Sequence, residues 1–288
     1  MSEEPKVGGK EYHIACGPGD VSQYVLLPGD PERTSRISSK WDSVRFKASH
    51  REYTTHTGTY KGVELTSTST GIGGPSLGIA LEELFRIGAN TFIRVGTTGT
   101  IQDDVSIGDL IITEAAVRLD GASKQYVMSE YPAAASYEIT LALIEAAEEL
   151  GVPYHVGVTA STDSFYTGQG RPGFGGYAQS WMRNLIPDLR AAGVLNFEME
   201  AATLFTVARL YGGRAGAITA VIAQRESKQF DPDAGIDAAI DVANEAVRIL
   251  RTWDDLKKTL GKARFYPSLE RGKSQKPEVS RDPFKIPS

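Results

Sequence analysis

Val63-Glu-Leu-Thr-Ser-Thr68, the turn Gly71-Ile-Gly-Gly-Pro-Ser76 and the return in Thr91-Phe-Ile-Arg-Val95 decide the fold class. A short β-branched run that ends in a glycine cluster predicts a strand stopping at a tight turn. Pro75 suits the first turn of a helix, where a missing N–H costs nothing. That helix is expected to run to about Ile87, with Ile79, Leu81, Leu84 and Phe85 on its apolar face, and to stop at Gly88. Thr91–Val95 then completes a βαβ unit.

The same alternation continues on either side. Val25-Leu-Leu27 predicts a strand, and Pro28-Gly-Asp-Pro31 the start of a helix that Asp30 caps with Pro31 at its first position. Further strands are expected at Leu110–Thr113, Val156–Thr159 and Ala217–Ala223. Helices are expected at Glu138–Leu150, about Ala178–Ala192, Glu200–Tyr211 and Ile236–Thr252. This order predicts an α/β sandwich with functional loops at the strand carboxyl ends, and no internal repeat. Residues 1–260 read as one domain. Residues 261–288 read as a polar extension with seven basic residues against three acidic. It is either a surface-draped or partly disordered tail or an arm gripping a neighbour, with Tyr266 and Phe284 as its anchors.

Composition narrows the function classes. With 288 residues, 41% of them hydrophobic and 23% charged, the chain is an ordinary globular protein rather than a collagen-like, coiled-coil or wholly disordered one. A net charge of −5 argues against nucleic acid or an acidic membrane as partner. The single cysteine, Cys16, excludes an intrachain disulfide and a thiolate metal site. No apolar run is long enough for a bilayer span, and Met1-Ser-Glu-Glu lacks the features of a secretory signal, so a cytoplasmic location is expected. His13, His50, His56 and His155 show no metal-ligand spacing. Gly71–Ser76 fails the dinucleotide fingerprint because serine stands where the third glycine belongs. No P-loop and no Gly-x-Ser-x-Gly occurs.

Three arginines carry more information. Arg33 follows Pro-Gly-Asp-Pro, Arg51 lies in Ser49-His-Arg-Glu-Tyr53, and Arg94 sits inside an apolar strand leading to Gly96-Thr-Thr-Gly99. Most lone arginines are surface residues, but a guanidinium in an apolar strand needs a partner. With the Gly29 N–H and the Thr97 hydroxyl, these arginines suit an oxyanion cradle. Asn196-Phe-Glu-Met-Glu200 offers two carboxylates at a helix start, either capping it or gripping vicinal hydroxyls of a sugar, with Met199 as an apolar floor. Because the helix starts there, the two carboxylates are expected to take separate roles. Asp163-Ser-Phe-Tyr-Thr-Gly-Gln-Gly-Arg171 is either a solvent loop or a seat for a planar heterocycle. Phe165 would stack on such a ring, and Gln169 and Arg171 would hydrogen-bond its edge.

Taken together in order, Pro28–Pro31, Ser49–Glu52, Ser69–Ser76, Arg94–Gly99, Val117–Ser123, Val156–Gln169 and Asn196–Glu200 resemble the nucleoside phosphorylase family, over roughly residues 10 to 252. The resemblance implies a three-layer αβα sandwich around a twisted mixed sheet, assembled as a hexamer from three dimers. It implies reversible phosphorolysis of uridine to uracil and ribose 1-phosphate, with inorganic phosphate as co-substrate and no organic cofactor. Gly29, Arg33, Arg94 and Thr97 match phosphate-binding positions, and Arg51 one contributed across the dimer. Thr97, Met199 and Glu200 match ribose contacts, and His13 the histidine that reaches the ribose 5′-hydroxyl from the neighbouring subunit. Phe165, Gln169 and Arg171 match base-binding positions. Arg171, Gln169, Glu200 and Arg94 are thereby the expected catalytic set. Glu52, Ile72 and Ser76 match a potassium site at the dimer interface of some members.

Two departures from the family pattern stand out. Gly170 replaces the acidic residue common between Gln and Arg in the base loop, within the glycine-rich Gly168–Gly176. Val221-Ile-Ala-Gln-Arg225 lacks the aspartate with which purine-specific members protonate N7, which favours a pyrimidine. The alternatives are a purine or broad-specificity phosphorylase, a nucleosidase using water, and a nucleoside-binding protein without turnover. The retained arginines disfavour the last two.

Overall fold

A computed structural model describes residues 5–270. It opens with β1 (Lys6–Val7) and β2 (Lys10–Glu11), then β3 (Tyr24–Leu27), α1 (Pro31–Ser38), β4 (Ser43–His50), β5 (Tyr53–Tyr60), β6 (Val63–Thr68), α2 (Gly74–Arg86) and β7 (Thr91–Thr100). It continues with β8 (Leu110–Leu119), α3 (Ala122–Tyr126), β9 (Ala133–Ala134), α4 (Tyr137–Leu150), β10 (Tyr154–Thr162), α5 (Met182–Ala191) and β11 (Val194–Glu198). The last elements are α6 (Ala201–Leu210), β12 (Arg214–Gln224), β13 (Gln229–Phe230) and α7 (Ile236–Leu260).

Apart from the β1–β2 pair, the strands form one mixed sheet in the order β13-β12-β8-β10-β11-β7-β3-β6-β5-β4, with β9 beside β8. β12 also pairs in parallel with β7, Arg214 opposite Thr91 through Gln224 opposite Thr100. Strands β12, β8, β10, β11 and β7 therefore close a ring, and β3, β6, β5 and β4 fan out from it. The βαβ unit forms as expected, but β3 lies between its two strands and is parallel to both.

Side-chain alternation divides the core into two. Tyr24, Leu26, Ile93, Val95 and Ile218 face a layer built from α1, α4 and α7, whereas Val25, Leu27, Phe92, Ala215 and Ala217 face α2 and α6. The result is the expected three-layer αβα arrangement, because period-2 strands buried on both faces need a helix layer on each. α5 covers a smaller cluster around Ile101, Ala160 and Phe197. Among the described residues no helix is long and apolar enough to cross a membrane.

The cap at Asp30 is as expected, its Oδ1 accepting from the Glu32 N–H at 2.9 Å. Several boundaries move. β7 runs on through Gly96-Thr-Thr-Gly99 to Thr100, and α7 continues eight residues past Thr252 to a left-handed cap at Gly261. The segment after α7 is anchored by Phe265, stacked on Trp253 at 4.0 Å between centroids, and by buried Leu269. Tyr266, the expected anchor, is 37% exposed, and Phe284 lies outside the described residues.

Candidate active site

A cavity of about 770 Å³ opens at the carboxyl ends of the parallel strands β3, β7 and β12, the end of an α/β sheet where ligand-binding loops gather. It gathers Gly29 and Arg33 from the β3–α1 turn, Arg94 and Thr97 from β7, and Phe165, Gln169 and Arg171 from the loop after β10. Met199 and Glu200 from the β11–α6 junction complete this wall. Nine residues distant in sequence thus meet in one concavity.

Its floor is an ion cluster. The Arg94 guanidinium, 6% exposed, donates from Nε to Glu198 Oε2 at 2.9 Å and pairs through Nη2 with Glu200 Oε2. The two carboxylates converge on one arginine, and their other contacts differ. Glu198 ends β11, and its carboxylate also accepts the N–H groups of Glu200 and Ala201 at 2.8–3.0 Å and the Ser161 hydroxyl. It satisfies donors at the start of α6 that would otherwise be orphaned. Gly96 makes room for Arg94: a Cβ there would lie 2.9 Å from Nη2. Glu200 accepts the Gly73 N–H at 2.5 Å, and burial pushes its pKa up against the opposing pull of Arg94. Gly73 has φ +95°, a conformation that costs glycine little, and Gly71 and Ile72 line the cavity. The glycine cluster is both a strand-to-helix turn and a wall of the site.

Beside this floor, Arg33 Nη1 donates to the Val95 carbonyl at 3.2 Å. Burial, then the neighbouring Arg94, lower its pKa. Two cations held this close in a partly desolvated pocket are poised for an anion.

At the other end, Arg171 Nη1 donates to Gln169 Oε1 at 2.6 Å and to the Phe165 carbonyl at 2.7 Å, with its guanidinium 4.2 Å from the Phe165 ring centroid. Phe165 remains 51% exposed and Gln169 is buried. Arg225, just after β12, donates from Nη2 to the Gln169 carbonyl at 3.0 Å, and its buried Nη1 has no hydrogen-bond partner among the described residues. Burial, then Arg171, lower its pKa to about 10. Arg225 was not singled out from the sequence; its place at the carboxyl end of a strand was the available signal.

Four predicted residues lie outside the cavity lining. Arg51 sits at the exposed tip of the β4–β5 hairpin with φ +54°, its guanidinium 5.7 Å from the Tyr12 ring. A non-glycine residue held in that region is strained. His13 Nδ1 contacts Glu83 Oε1 at 2.6 Å, and the same buried carboxylate accepts the N–H groups of His13 and Ile14. Glu52 packs against Gly71, where a Cβ would meet its Cγ at 2.9 Å, and Ser76 Oγ donates to the Ile72 carbonyl at 3.3 Å. Glu52, Ile72 and Ser76 thus lie together and offer only oxygen donors.

The sequence profile of the phosphorylase superfamily matches residues 23–252, which include the whole cavity lining. The chain belongs to the phosphorylase superfamily. Among its relatives, a uridine phosphorylase of Thermococcus kodakarensis is 63% identical over 261 residues, 91% of this chain and 94% of its own. A uridine phosphorylase of Escherichia coli is 43% identical over 76% of this chain and 88% of its own. A guanosine phosphorylase of Halorubrum lacusprofundi is 38% identical over 83% of this chain and 96% of its own. Superfamily members thus differ in the base their names carry.

Proposed function

We propose that the protein catalyses the reversible phosphorolysis of uridine to uracil and ribose 1-phosphate, an enzyme activity of pentosyl transfer. The observation that carries this reading is the polarity of the cavity. A pair of cations, Arg33 and Arg94, lies at one end, an amide–guanidinium pair, Gln169 and Arg171, at the other, and the Glu200 carboxylate is on the floor. Phosphate takes the first end, with the Gly29 N–H and Thr97. Glu200, with Met199 and Thr97, holds the ribose so that its anomeric carbon faces the phosphate. Uracil lies on Phe165 with its oxygens and N3 toward Gln169 and Arg171. As the glycosidic bond breaks, positive charge grows on the ribose beside the phosphate, and negative charge grows on the departing base beside Arg171.

Arg51 and His13 serve the neighbouring subunit, Arg51 as a further phosphate ligand and His13 at the ribose 5′-hydroxyl. Their distance from their own cavity supports that assignment, and the assembly is a hexamer of three dimers working in the cytoplasm. Inorganic phosphate is the co-substrate, and no organic cofactor takes part. The clustered oxygens of Glu52, Ile72 and Ser76 fit a hard monovalent cation such as K⁺ at the dimer interface.

The guanosine phosphorylase likeness supports a second reading, in which the base is a purine. The carboxylates lining the cavity are Asp30, Glu198 and Glu200, and the end of β12 presents Gln224 and Arg225, so among the described residues no acid stands there to protonate a purine N7. The decisive experiment follows base release from a panel of nucleosides with and without phosphate. Uridine should be cleaved only with phosphate and yield ribose 1-phosphate. Equal rates without phosphate, with free ribose as product, would overturn the reading, and preferred cleavage of guanosine would replace it with the second.

A further inference from the structure

A second cavity, of about 860 Å³, opens at the opposite end of the same three parallel strands. Gln23 and Tyr24 at the start of β3, Asn90 before β7 and Arg214 at the start of β12 contribute to its walls. Along β7 it is separated from Thr97 by about 20 Å.

Its charges fall into two groups. The inner group is closed. Arg214 makes two hydrogen bonds to the Asp254 carboxylate at 2.6 and 2.8 Å and a third contact to Glu138 at 2.9 Å. Lys257 joins both carboxylates at 2.7 and 2.9 Å, and the Tyr24 hydroxyl donates to Asp254 at 2.6 Å. At the rim, Arg251 is engaged with Asp255 at 2.9 Å. The remaining cations, Arg209, Lys258 and Arg264, line the same cavity and have no carboxylate partner among the described residues. Six basic side chains therefore face three acidic ones, in a chain whose net charge is −5.

Arg209 is half-buried and Lys258 and Arg264 are exposed, so the three cations give one mouth of the cavity a local excess of positive charge that favours an anion. Guanidinium forks match phosphoryl oxygens. The volume exceeds what one phosphate needs and falls in the range of small-molecule sites. Tyr137, a residue 51% exposed with its hydroxyl fixed on the Phe265 carbonyl at 2.7 Å, offers an aromatic ring. The amides of Gln23 and Asn90 offer donors and acceptors for a base edge.

We propose that this cavity is a second ligand site, separate from the active site, that takes a nucleoside triphosphate. The phosphate chain lies against Arg209, Lys258 and Arg264, and the base lies on Tyr137.

Calorimetric titration of the full chain with ATP, UTP and inorganic tripolyphosphate tests this, in magnesium-free buffer with enough phosphate to saturate the active site. At least one nucleotide should bind one per chain, about tenfold or more tighter than tripolyphosphate. Arg209→Glu with Lys258→Glu should weaken it by about tenfold or more, and Tyr137→Ala should weaken the nucleotide but not tripolyphosphate. Should the reversed pair fail to fold, as judged by circular dichroism, Arg209→Gln with Lys258→Gln should give a smaller weakening of the same kind. Three results would overturn the site: no binding at millimolar ligand, binding indifferent to these substitutions, or binding abolished by Arg33→Ala. Tripolyphosphate binding as tightly as either nucleotide would overturn its assignment to nucleotides.

Discussion

Arg94 and Glu198 meet at 2.9 Å in the cavity floor, and the same carboxylate receives the first N–H groups of α6. A side chain expected to touch phosphate is thus anchored by a group that also starts a helix. Glu198→Gln places an amide N–H₂ among donors and leaves Arg94 with one carboxylate partner, Glu200, instead of two. Breaking a buried pair of this kind typically costs about 3–5 kcal/mol. The variant should unfold at markedly lower denaturant and need more phosphate for half-maximal rate. Denaturation and phosphate-saturation curves that both match the parent protein would contradict the anchoring role.

Arg171 is expected to stabilise the departing base and not the bound phosphate, since its contacts are to Gln169 and Phe165. Arg171→Ala should lower kcat by roughly 10²–10³ with little change in the KM for phosphate. Arg171→Lys should recover little, because an ammonium lacks the planar fork. A uridine analogue with a more acidic base should lose less on the same substitution. An effect confined to the phosphate KM would remove Arg171 from this role.

Sharing of sites between subunits can be read from subunit exchange. Arg33 is the better partner for this test than Arg94, whose removal would leave Glu198 and Glu200 buried without their cation. Chains with Arg51→Ala and chains with Arg33→Ala should each be nearly inactive alone. Mixed at equal amounts and allowed to exchange, they should regain about a quarter of the sites, since half of the dimers hold one intact site of two. Absence of recovery after exchange is verified by mass spectrometry would mean that Arg51 serves its own chain.

Asp254 sets part of the acid response. Burial opposes its ionisation, but hydrogen bonds from Arg214, Tyr24 and Lys257 outweigh it and bring its pKa from 3.8 to about 2. The folded protein releases this proton at a pH where the unfolded chain still holds it. The stabilisation, roughly 2 kcal/mol, is therefore full above about pH 4 and drains away as pH falls toward about 2. Asp254→Asn should lower stability at neutral pH and flatten the stability curve across that interval. An unchanged acid slope in denaturant titrations would show that Asp254 is not its source.

The parts of the fold legible in the sequence are those where burial is apolar. The β3, β6 and β7 strands and the α2 helix declare themselves through Leu, Ile, Val and Phe at the right period. The β4–β5 hairpin did not, because its buried face is polar. Thr55 and Thr57 are fully buried, and their hydroxyls pair with Thr68 and Thr66 at 3.1 and 2.8 Å, so threonine does there what valine does elsewhere. The extension of β7 through Gly96-Thr-Thr-Gly99 was hidden for the same reason. Within the site, Arg94 was legible because a charge in an apolar strand demands a partner. Glu83 and Arg225 were not, since each gains its meaning from a neighbour far along the chain: Glu83 from His13, and Arg225 from the Gln169 carbonyl.

Arg51 rides on the periphery of the sheet. β7 and β12 are bonded on both sides within the closed ring, whereas among the described residues β4 is bonded only to β5. Local opening begins where the fewest bonds must break, so the hairpin that carries Arg51 separates at a lower free energy than the ring that carries Arg94. If Arg51 is the outer donor of the anion cradle, as proposed, heating should release it while Arg94 is still in place. Loss of turnover should then precede loss of fold and reverse on cooling, and a bound anion that recruits Arg51 should delay the first event without moving the second.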